Sequence, residues 1–116
     1  MSKELKYEPV QRLTRNKIAK ALKSSDSETV ASALYSAAYH DPDWRWVQDQ
    51  CLNFLGSSDV GIRWAAATCL GDLAVFHKKL DLDKVLPRLL EASRDQAIRS
   101  TVQDSLDFIR HHIKVQ

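Results

Sequence analysis

Glycine and proline number three each in 116 residues, cysteine two and methionine one. So few flexible or rigid breakers leave little room for linkers, and disorder is expected only at the ends. Cys51 and Cys69 lack Cys-x-x-Cys spacing and sit inside apolar helical patterns, which predicts buried free thiols in preference to a disulfide. No apolar run approaches the roughly 20 residues of a membrane helix, and residues 1–8 lack the apolar core of a signal peptide, so a cytoplasmic protein is expected. Strand signals are nearly absent. His40, His77, His111 and His112 share no metal-ligand spacing with one another or with the cysteines. There is no phosphate-binding glycine loop, no Gly-x-Ser-x-Gly elbow and no carboxylate pair distinguishable from helix caps. No metal, no cofactor and no enzymatic activity are therefore expected.

What is present is helical periodicity, in a length that fits one domain with its own core. A first helix is predicted from about Thr14, with Ile18, Ala21 and Leu22 inward and Lys17, Lys20 and Lys23 toward solvent; Pro9 can begin an extra turn that adds Val10 and Leu13. Ser25 with Glu28 has capping-box spacing and opens a second helix, whose stripe of Val30, Ala33, Leu34, Ala37 and Ala38 is flanked by Tyr35 and Tyr39. Asp41-Pro42 starts a third, ended near Leu55 by Gly56-Ser57-Ser58. The fourth, Val60 to Phe76, is apolar nearly all round and should be the central, most buried helix, closed by His77-Lys78-Lys79. Asp81 caps a fifth that Pro87 should kink or split, and Ser93 with Gln96 precedes a sixth reaching Ile113.

Within this series Asp59, Ile62, Arg63, Ala66, Leu70 and Leu73 recur 36 residues later as Asp95, Ile98, Arg99, Val102, Leu106 and Ile109. A period of that size marks stacked two-helix units. The run from Ser58 to Leu73 resembles the second helix of a HEAT-like repeat, and Asp95 to Ile109 is a weaker copy. The resemblance implies an all-α fold: a short right-handed α-solenoid of about three HEAT-like two-helix repeats over residues 14–116, behind a basic segment, 1–13. In that family the aspartate caps the second helix and the arginine lies along the same edge, which carries a charge ladder onto Asp59, Arg63, Asp95 and Arg99. A proline bend in the first helix is matched by Pro87. Residues 26–39 fit least, with Val30 or Ala31 where the arginine should be, so the first repeat reads as a divergent cap. With its Asp41-Pro42-Asp43-Trp44 start, the chain also resembles helical-repeat immunity proteins paired with bacterial toxins.

Charge is segregated along the chain. Residues 1–23 carry seven basic groups against two acidic, residues 24–76 two against seven, and residues 77–116 eight against six. All three tryptophans, with Tyr35 and Tyr39, fall in the acidic middle, a combination suited to a basic protein surface; the acids there also serve as caps and the aromatics as core. On a helical wheel Trp44 joins Val47, Cys51 and Leu55 as core, while Trp46 lies opposite, beside Asp49 and Asn53, and either packs on an adjacent repeat or meets a partner. Trp64 packs on a neighbouring helix or projects from the inner surface. The expected partner contacts are Tyr39, Asp43, Trp46, Asp49 and Trp64, and the expected partner is a protein, a basic toxin domain, sterically blocked. A HEAT-like nucleic-acid-binding or DNA glycosylase-like protein is the second reading, disfavoured because phosphates should be repelled by an acidic aromatic segment; a structural adaptor subunit is the third. Lys17, Lys20 and their basic neighbours read mainly as a solvated face.

Overall fold

The computed structural model describes residues 10–113, and every regular element among them is helical: α1 (Arg15–Ala21), α2 (Ser27–His40), α3 (Trp44–Phe54), α4 (Val60–Phe76), α5 (Leu82–Ala92) and α6 (Arg99–His112). The first four open on side-chain caps, in which Thr14, Asp26, Asp43 and Asp59 accept from the amides of Lys17, Thr29, Trp46 and Ile62. Each cap satisfies an amide that the first turn leaves without a partner.

Several expected starts move. Asp26, not Ser25, caps α2, and Asp43, not Asp41, caps α3. Asp41 is instead taken by Arg15, whose Nε and Nη2 donate to it at 2.8 and 2.9 Å and tie α1 to the α2–α3 corner. Asp81 occupies the cap position of α5 without capping, because its carboxylate accepts from Arg45 and Gln48. Ser93 ends α5, its hydroxyl donating to Leu90, and α6 begins only at Arg99, after a turn in which Asp95 accepts from the Ala97 amide. Pro87 does not split its helix; α5 runs through it unbroken. No extra turn precedes α1 over residues 10–13, which are not helical; Pro9 and the basic segment before it lie outside the described residues. Residues 10–13 lie against α2, where His40 donates to the Val10 carbonyl and the Leu13 amide to Ser36.

Helices α2, α4 and α6 pack side by side; α1 backs onto α2, α3 onto α4 and α2, and α5 onto α6. Paired contacts advance together along the chain, Thr68 with Thr101 and then Gly71 with Ser105, so α4 and α6 run in the same direction. α4 lies between α2 and α6 with α3 behind it, which is why it can be apolar nearly all round. Leu34, Val47, Leu70, Leu73, Val85 and Val102 are completely buried in the continuous core. Cys51 and Cys69 are buried free thiols within it; burial, with a hydrogen bond to Cys51, pushes the Cys69 thiol far up and keeps it protonated. Trp44 departs from expectation, being only half-buried beneath the Arg45 guanidinium, 4.6 Å from the ring centre.

Polar bonds fix how the pairs stack. Buried Gln48 accepts from the Asp81 amide at 2.7 Å and donates to the Asp81 carboxylate at 2.9 Å, while Arg88 donates to the Leu52 carbonyl at 2.8 Å. Arg63 bridges units by reaching Asp95 at 3.0 Å, and also donates to the Ser57 carbonyl at 3.0 Å. Its counterpart Arg99 makes the equivalent bond to Ser93 at 2.8 Å. Among the described residues the ladder has one complete rung, Arg63 to Asp95, since Val30 stands where an arginine would meet Asp59 and Arg99 turns to the Ser93 carbonyl.

Candidate partner-binding face

Because α2, α4 and α6 lie side by side, the residues they turn outward form one surface. Tyr35 sits half-buried beside Thr68, to which its hydroxyl is hydrogen-bonded, and Thr68 meets the Thr101 hydroxyl at 2.7 Å. This row of hydroxyls crosses all three helices. One turn before it on α4 stands Trp64, and two turns after it stands Phe76, whose ring meets Tyr39 edge-on at 4.7 Å between centres. Phe108 follows Thr101 by two turns on α6. Tyr39, Trp64, Phe76 and Phe108 are each at least 40% exposed, although such side chains usually lie inside. Four large aromatics left in water on one side of the molecule are the mark of an interaction surface.

Asp72 lies on α4 between Thr68 and Phe76, half-buried, where burial pushes its carboxyl up to about 6. The same desolvation raises the Tyr35 phenol, with a smaller contribution from the Asp72 carboxylate.

Two carboxylates with opposite shifts shape stability against pH. The folded protein holds the Asp72 proton more tightly than an unfolded chain with an ordinary value of 3.8, so ionised Asp72 opposes folding above about pH 6 and the penalty is relieved as pH falls toward 4. Allowing for solvent screening, that relief is about 1–2 kcal/mol. Asp41 acts the other way, since hydrogen bonds from Arg15 hold its carboxyl below 3.8. Its contribution is complete above that ordinary value and is lost as pH falls through the lowered one. Thermal unfolding between about pH 3 and 8 should therefore show a maximum near pH 4 to 5. Asp72→Asn should abolish the decline on the alkaline side, and an unchanged decline would place its origin elsewhere.

The five residues expected to meet a partner do not come together. Tyr39 and Trp64 belong to the aromatic face. Asp43, Trp46 and Asp49 belong to α3, which backs onto the stack. There Trp46 packs half-buried beneath Arg15, whose guanidinium lies 4.0 Å from the ring centre. Asp43 caps α3 with Arg15 at 3.6 Å, and Asp49 lies 3.8 Å from Lys84. Of the ladder, Asp59 caps α4, Arg63 and Asp95 join neighbouring units, and Arg99 closes onto Ser93. Tyr35, Asp72, Phe76 and Phe108 are the face residues that sequence reading did not nominate. The signal for two of them was the repeat itself: Asp72 on α4 and Phe108 on α6 stand 36 residues apart, at equivalent positions of the two helices.

No groups of three or more potential metal-ligating side chains cluster among the described residues, and no helix there is long and apolar enough to cross a membrane. At the far end of the stack Leu82, Leu86, Leu90, Leu106, Ile109 and Ile113 line an apolar groove of about 470 Å³. It lies on the α5–α6 pair.

No protein-family model and no curated protein matches the sequence. Among solved structures, the fold is similar to a chain in the crystal structure of the CDI complex from Cupriavidus taiwanensis LMG 19424, with a TM-score of 0.84 and 30% identity over 94% of this chain and 98% of that one. With that identity across nearly the whole of both molecules, this chain belongs to the same family as that chain of the CDI complex.

Proposed function

We propose that this protein is an immunity protein of a contact-dependent inhibition system, a cytoplasmic binding module that sterically blocks a cognate toxin and catalyses nothing itself. The observation that carries this reading is its kinship with a chain of a CDI complex. The aromatic face supplies the physical means, because Tyr39, Trp64, Phe76 and Phe108 offer large rigid contacts whose desolvation on binding drives association. The three helical pairs are read as HEAT-like repeats of a short right-handed solenoid. In support, the period of 36 residues reappears in equivalent bonds, Arg63 to Ser57 and Arg99 to Ser93. On that view α2, α4 and α6 line the inner surface, where such scaffolds hold partners. A nucleic-acid role draws no support from a face that carries Asp72 and Asp104, since both repel phosphate.

Co-expression tests the proposal. Cells carrying the toxin domain encoded beside this gene should survive when this chain is also made, and the purified pair should elute as one complex of stated mass. Cell death despite abundant soluble protein, with no complex, would reject it.

A further inference from the structure

Among the described residues the acids that are buried or half-buried are Asp41, Asp59, Asp72, Asp81 and Asp95. Four have evident structural duties. Asp41 is held by Arg15, Asp59 caps α4, Asp81 accepts from Arg45 and Gln48, and Asp95 pairs with Arg63. Among the described residues no hydrogen-bond donor and no cation lies against Asp72; Tyr35 on α2 and Cys69 on its own helix stand beside it, and neither is positive. It also stands near the C-terminal end of α4, where the helix dipole disfavours negative charge. Desolvation, absence of a counter-charge and dipole all oppose it, so the fold alone gives no reason for a carboxylate there.

Resting on the immunity reading, we infer that Asp72 is the anchor for a basic side chain of the toxin, a lysine or arginine inserted among Tyr35, Tyr39 and Phe76. The chemistry of the site fits such an occupant on two counts. A carboxylate already stripped of part of its water binds a cation with less further desolvation than an exposed one would. Aromatic faces beside it attract the same cation through their quadrupoles, and the Tyr39–Phe76 pair one turn away presents two of them. A solitary cation placed there also fixes register, because an apolar or acidic residue in its place would leave the carboxylate unpaired.

The test uses the full chain and the detoxified toxin domain encoded beside it. Asp72→Asn keeps the shape and removes the charge, so the dissociation constant should rise about 30-fold or more while thermal stability at pH 7.5 stays level or increases. Carboxyl-carbon NMR of Asp72 supplies a readout that a purely structural role would not move. In the complex the group should titrate lower than in the free protein, because a cation favours its charged form. Equal affinity of the Asp72→Asn variant, or a carboxyl that titrates higher in the complex, would overturn the anchor and leave the immunity reading intact. Failure of the wild-type chain to bind the toxin would remove both.

Discussion

Gly71→Ala should lower the melting temperature by about 8 °C, although alanine is the better helix former. Gly71 lies in the interior of α4, and a Cβ there would stand 2.5 Å from the Ser105 hydroxyl oxygen and 2.9 Å from both Ser105 Cα and Cβ. The hydroxyl cannot swing away freely, because it donates to the Ala67 carbonyl at 2.6 Å in a buried setting. Backbone cannot swing at all, so α4 and α6 must part. Overpacking of this kind costs about 3 kcal/mol, and the gain in helix propensity returns about 1, leaving about 2 kcal/mol, or roughly 4 °C for each kcal/mol in a chain of this size. Ser105→Gly removes two of the three clashing atoms, so the double variant should lose less than the sum of its parts. Thermal unfolding followed by circular dichroism reads both. An unchanged or raised melting temperature for Gly71→Ala would mean that the two helices do not approach this closely, and the alignment of Trp64, Asp72 and Phe108 on one face would go with it.

That close approach was only half legible in the sequence. Repetition at 36 residues identified α4 and α6 as equivalent elements, and the matching bonds of Arg63 and Arg99 are its physical content. Nothing local marked Gly71 as a contact, because a glycine in a helix reads as a weakness until its neighbour from another repeat is known. Caps failed for a related reason. Asp41 before Pro42 has every local feature of a helix start, yet Arg15 claims it from 26 residues away, and Asp43 takes over two positions later. Local signals propose several acids for one role, and tertiary pairing chooses among them.

Charge counted by segment brought together residues that the fold separates. Residues 24–76 are acidic as a stretch of chain, but folding sends α3 behind the stack and leaves α2 and α4 in front. Asp43 and Asp49 therefore do not share a surface with Tyr39 and Trp64. Trp46 was the outlier of its helix because α1 covers it, with Arg15 over its ring. Asp72 escaped notice inside the most apolar helix, where a single polar residue resembles a tolerated exception.

On the immunity reading, Phe76→Glu should abolish protection against the toxin, weakening the complex more than about 100-fold. The ring is 46% exposed and among the described residues its aromatic contact is Tyr39, so the fold loses about 2 kcal/mol when it is replaced. In a bound state the same position would be desolvated at the centre of the face, and a glutamate there would sit beside Asp72 and compete for the same cation. Asp49→Ala supplies the contrast. It breaks an exposed pair with Lys84 on the opposite side of the stack, and affinity should stay within about twofold. Titration calorimetry with the detoxified toxin domain measures both variants, with far-ultraviolet circular dichroism to establish that each is folded. The reverse pattern, tight binding by Phe76→Glu and a large loss for Asp49→Ala, would transfer the interface to the α3 side and restore Asp43, Trp46 and Asp49 as its residues. A loss confined to Phe76→Glu would leave α2, α4 and α6 as the binding surface, because among the described residues the exposed aromatics Tyr39, Trp64, Phe76 and Phe108 all stand on those helices.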